Sequence, residues 1–78
     1  MEWKEINQTI EKDFTFSNFR QALEFTNRVG DLAEEMDHHP DILLHGYKHV
    51  RITLTTHSEG KVTEADRQLA VKIDHIVL

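Results

Sequence analysis

Six histidines in 78 residues set the chemistry this chain can offer, and their placement matters more than their number. His38 and His39 are adjacent and precede Pro40, while His57 follows a stretch in which apolar and polar residues alternate. An unperturbed imidazole titrates near neutral pH, so a pair can both remove and donate protons without expensive ionisation. Blander roles compete. His38 could be a cation favoured by a helix C-terminus, His39 a surface residue before a proline, and His57 a loop histidine. His45, His49 and His75 are left outside the site, since His49 falls on the polar side of a strand and His75 near the chain end.

Clustered histidines also raise metal binding. A closed zinc site takes about four protein ligands and a catalytic one about three. His38, His39 and His57 could supply nitrogens, with Glu34 or Asp37 close in sequence. Adjacent histidines before a proline do not readily converge on one ion, however, and a His-Glu-x-x-His pattern is absent, so no metal is expected.

These side chains need elements to position them. Phe14-Thr15-Phe16 has the two-residue period of a half-buried strand, and the stretch from Trp3, with Asn7-Gln8 as a turn, reads as two short strands. Ser17 is the expected N-cap of a helix whose face carries Phe19, Ala22, Leu23, Thr26, Val29, Ala33 and Met36, widened by Phe25 and Leu32. That helix should end near Asp37, because Pro40 disfavours helical geometry at His39. Ile42-Leu43-Leu44 reads as a strand and His45-Gly46-Tyr47 as a turn. Val50, Ile52 and Leu54 then alternate with polar residues in the clearest strand of the chain. Thr63 and Asp66 resemble a capping pair that opens a second helix, with Val62, Ala65, Leu69, Ile73 and Ile76 as its apolar stripe. The expected fold is α+β: an antiparallel sheet of four strands with two helices packed on one face.

Length and composition narrow the function classes. The chain suffices for one domain, 1–78, with a thin core that no disulfide can staple, since there is no cysteine. A homo-oligomer is the expected remedy. Nine Lys and Arg against fourteen Asp and Glu give a formal charge of −5, which argues against a broad phosphate-binding face and hence against direct nucleic-acid binding. No secretion signal or membrane-spanning run is visible, so a cytoplasmic location is expected and no membrane partner.

One ordered set of residues is more specific than any of these features. Glu34-x-x-x-His38-His39-Pro40, then Tyr47, then Thr55-Thr56-His57, and finally Gly60-x-Val62-Thr63-x-x-Asp66 resemble the defining motif of the pterin-4a-carbinolamine dehydratase family. Trp3 and Phe14-Thr15-Phe16 are similar to the family's early aromatic landmarks, and Leu69-Ala70 with Ile73-Asp74 to its last helix. The resemblance implies dehydration of a 4a-hydroxytetrahydropterin, the carbinolamine left by an aromatic amino acid hydroxylase, to the quinonoid dihydropterin, with no metal or added redox cofactor. It implies a pterin substrate, a homodimer or homotetramer, and a site in which His38, His39 and His57 match the three site histidines and Glu34 the preceding acid.

On that reading His38 and His57 transfer protons, His39 orients the pterin, and Glu34 tunes or orients His38 or contacts the ring. Tyr47 and Asp66 join His39 as substrate-binding candidates, with Asp66 equally well placed as a helix cap and Tyr47 as a core aromatic. The sequence departs from the family at Ile42, where relatives often have tryptophan, and at Gly60-Lys61, which replaces a common double glycine. Two other functions stand beside the enzyme. One is a noncatalytic protein-binding or dimerisation module, because some relatives bind a transcription factor. The other is a pterin-processing role outside amino acid hydroxylation.

Overall fold

A computed structural model describes residues 2–78. Strands β1 (Lys4–Ile6) and β2 (Thr9–Thr15) precede helix α1 (Phe19–Met36), strands β3 (Asp41–His45) and β4 (His49–Leu54) follow it, and helix α2 (Glu64–Asp74) closes the order. The sheet runs β1-β2-β4-β3 with every neighbouring pair antiparallel. Both helices pack on one of its faces, the expected α+β arrangement.

The pleat of β4 explains the layering. Val50, Ile52 and Leu54 point the same way and are fully buried, whereas His49, Arg51 and Thr53 on the other face are not. In one core with the buried row lie Ala22, Phe25 and Val29 of α1 and Leu69, Ala70 and Ile73 of α2. Phe25 also meets Phe14 and Phe16, with ring centroids 4.7 and 4.9 Å apart, so α1 is locked onto β2 as well as β4. Asp74 ties the C-terminal end of α2 to the first hairpin, accepting from Lys12 Nζ at 2.8 Å and from Trp3 Nε1 at 3.0 Å.

Turns follow from local chemistry. Asn7 and Gln8 both take positive φ, 47° and 63°, the condition for a two-residue hairpin loop whose twist matches its strands. Gly46 has φ 55°, and a Cβ there would come within 3.0 Å of the His49 ring, so this turn requires glycine on two counts.

Two details of α1 differ from expectation. Its N-cap is Asn18 rather than Ser17: Asn18 Oδ1 accepts from the Gln21 N–H at 2.9 Å, and the Ser17 N–H donates instead to Gln21 Oε1 at 3.1 Å. Phe19 and Leu23, expected on the buried face, are 49% and 41% exposed. At about 100° per residue they fall on the flank of the arc traced by Ala22, Phe25, Val29 and Ala33.

The register places the termini that matter at one end of the sheet. Asp41, opening β3, pairs with Thr53 near the end of β4, so the exit from α1 and the entry to α2 come together there. Stability should be most sensitive at the middle of this central strand. Ile52→Ala is expected to lower the unfolding free energy by about 2–5 kcal/mol, read from urea denaturation followed by circular dichroism; a loss below 1 kcal/mol would show that the sheet and helices do not share this core.

Candidate active site

The first side chain of the site is aimed by a helix end. Asp37 adopts a left-handed conformation, φ 51°. The His38 N–H then bonds Ala33 O at 3.0 Å while the Asp37 N–H reaches Glu34 O at 3.3 Å, the paired bonds of a Schellman turn. This reversal swings His38 back toward the sheet end and leaves His39 facing outward ahead of Pro40. The second side chain is delivered by the opposite kind of end. Thr63 caps α2, and Asp66, its third residue, closes a capping box by accepting from the Thr63 N–H at 2.8 Å.

These two ends meet. His38 Nε2 lies 2.5 Å from Asp66 Oδ1, while the other oxygen, Oδ2, accepts from the Thr56 hydroxyl at 2.7 Å as well as from Thr63. Asp66 is fully buried and the His38 side chain is 16% exposed. Burial alone would raise the Asp66 pKa. Hydrogen bonds from His38, the Thr63 backbone and Thr56, together with the charge on His38, outweigh it and hold the carboxyl below its ordinary value of 3.8. An ionised carboxylate only accepts, so His38 carries a proton on Nε2 and, in its neutral form, presents Nδ1 as an acceptor.

Several residues fall where the sequence did not place them. Glu34 bonds His39 and not His38, with Oε2 2.6 Å from Nε2 in an exposed pair. Asp66, a substrate-binding candidate, has no exposed surface, and both its oxygens are engaged, Oδ1 by His38 and Oδ2 by Thr56 and Thr63. Tyr47 is 60% exposed in the β3–β4 turn. With strand residues advancing about 3.3 Å each, it lies roughly 20 Å from Asp41 and so at the far end of the sheet from His38. His57 is exposed in the loop that follows β4, directly after Thr56, so the chain holds it at the His38 end.

Thr56 is the residue that sequence reasoning quoted without a role. A signal was available: it continues the inward parity of Val50, Ile52 and Leu54 beyond the strand, where a hydroxyl facing inward needs a polar partner. An open groove of about 490 Å³ is lined by Asn27, Gly30, Glu34, His39, Pro40 and Ile42, among others, and so takes in the Glu34–His39 pair but not His38, Asp66 or His57. Among the described residues, no group of three His, Cys, Asp or Glu side chains converges as a metal site, and no helix is long and apolar enough to cross a membrane.

Residues 1–76 match the family model described as Pterin 4 alpha carbinolamine dehydratase. The chain belongs to this family. A protein of Sulfolobus acidocaldarius provisionally named pterin-4-alpha-carbinolamine dehydratase is 46% identical over 74 residues, covering 95% of this chain and 80% of its own length. One of Rubrobacter xylanophilus, with the same provisional name, is 44% identical over 75 residues, covering 95% and 69%. Among solved structures, a transcriptional coactivator/pterin dehydratase from Brucella melitensis superposes with a TM-score of 0.86 at 36% identity, covering 92% of this chain and 78% of that one. A pterin dehydratase-like protein identified as a RuBisCO assembly factor in the alpha-carboxysome gives 0.74 at 28% identity, covering 94% and 83%.

The depressed Asp66 pKa has a signed consequence. Its stabilising contribution is present above the unfolded value, about 3.9, and is lost as pH falls through the lower folded value. Asp66→Asn should therefore cost about 1–3 kcal/mol at neutral pH, and the gap to wild type should close between about pH 5 and pH 2. Denaturation midpoints across that range check this, and a gap that persists undiminished at the acid end would refute it.

Proposed function

We propose that this protein dehydrates a 4a-hydroxytetrahydropterin to the quinonoid dihydropterin and water. Family membership supplies the reaction class, and the observation that carries the assignment to residues is the His38–Asp66 pair, 2.5 Å apart and closed to solvent on the carboxylate side. The elimination breaks the C4a–O bond, helped by a proton donor, and removes the N5 proton, helped by an acceptor; it is redox-neutral and consumes no co-reactant.

His38 and His57 exchange these proton-transfer roles. The carboxylate behind His38 fixes its tautomer and ring plane as the buried aspartate does in a hydrolase triad, while His57 works from the exposed loop. His39 orients the polar pterin ring by hydrogen bonding, steadied by Glu34 at 2.6 Å. The working form is a homodimer or homotetramer in the cytoplasm, without a metal or an added cofactor.

The test is stopped-flow ultraviolet monitoring of freshly generated 4a-carbinolamine with wild type, His38→Ala and His57→Ala. General acid–base contributions of about 10²–10⁴-fold are expected to be lost in each folded variant. Acceleration unchanged in both variants would refute these roles. No acceleration by folded wild type would favour a noncatalytic binding module, the kind of role held by the coactivator and assembly-factor proteins that this chain resembles.

A further inference from the structure

We propose that Thr56 is a positioning residue for the dehydration, acting through Asp66 on His38 and through its own backbone on His57. This rests on the dehydratase reading above. The side chain is the first link. Thr56 Oγ1 lies 2.7 Å from Asp66 Oδ2 and 2.7 Å from Thr63 Oγ1. A hydroxyl has a single proton, and the ionised carboxylate can only accept, so Thr56 donates to Asp66 and Thr63 donates to Thr56. Asp66 Oδ2 thus takes two donors, this hydroxyl and the Thr63 N–H. The carboxylate cannot rotate without breaking both bonds, which leaves Oδ1 aimed at His38 Nε2.

The backbone is the second link. Thr56 forms an isolated antiparallel bridge with Lys61: its N–H donates to Lys61 O at 3.1 Å, and its carbonyl accepts from Glu59 and Gly60 at 3.0 and 2.9 Å. The loop carrying His57 is therefore clamped at its base by the residue whose hydroxyl orients Asp66. One side chain sets the protonation geometry of the first histidine, and the same residue's main chain sets the place of the second.

Removing the hydroxyl leaves the carboxylate one donor short in a buried setting. The Asp66 pKa then rises, and with only the Thr63 N–H left on Oδ2 the carboxylate is free to turn and no longer fixes the ring plane of His38. Thr56→Val keeps the shape without the hydroxyl, and Thr56→Ser keeps the hydroxyl without the methyl. Thr56→Val is expected to lower kcat about tenfold with KM little changed, and to raise the Asp66 carboxyl titration, followed by carbon-13 NMR, by about one pH unit. Thr56→Ser should restore both. A folded Thr56→Val with wild-type kcat and an unmoved Asp66 titration would overturn the proposal, as would Thr56→Ser failing as fully as Thr56→Val.

Nitrogen-15 NMR of the wild-type imidazoles supplies a readout that needs neither variant nor turnover. A protonated Nε2 on neutral His38 is expected, and the opposite tautomer would overturn the proposal even if no variant folds. The NMR arms also separate the two ideas. Absent turnover with the expected tautomer and titration shift sinks the dehydratase reading alone, whereas wild-type turnover with the opposite tautomer sinks the role of Thr56.

Discussion

A carboxylate with no exposed surface is the constraint around which one end of this molecule is organised. Taking a charge out of water costs several kcal/mol unless its oxygens are met by donors in good geometry. Asp66 meets that requirement with three: the imidazole of His38, the hydroxyl of Thr56 and the backbone of Thr63. Each comes from a different part of the chain. The exit of α1, the end of β4 and the start of α2 must all be in place before the charge is satisfied, so a fully bonded Asp66 reports that the fold is complete.

Most of the scaffold was legible in the sequence because it rests on short-range rules. The alternation of Val50, Ile52 and Leu54 sets one strand by its two-residue period. Pro40 bounds α1, and Thr63 with Asp66 opens α2 through a local capping geometry. The errors on α1 are also local. Asn18 caps as well as Ser17 by composition, and the competition is decided by which of the two Gln21 can serve. Phe19 and Leu23 carry the right spacing, but the buried arc of the helix is narrower than the apolar stripe.

The site was legible as a set of residues and much less so as a set of contacts. His38 and Asp66 are 28 positions apart, and nothing in either neighbourhood says that they touch. Glu34 was expected beside His38 or the pterin ring, and the structure pairs it with His39, because the Schellman turn rotates His38 away from it toward the sheet end. Tyr47 stands apart from His38 for a related reason. A motif orders residues along the chain, whereas a hairpin carries its turn a full strand length from its ends.

That Schellman turn depends on Asp37 in a left-handed conformation, φ 51°, at a position where a side chain is strained by roughly 1–2 kcal/mol and glycine is not. Glycine would relax the helix end and also widen the conformations open to the segment that carries His38. Thermodynamic robustness and the placement of His38 therefore pull this residue in opposite directions, and selection for heat tolerance alone would drift toward a sturdier chain with a less firmly aimed imidazole.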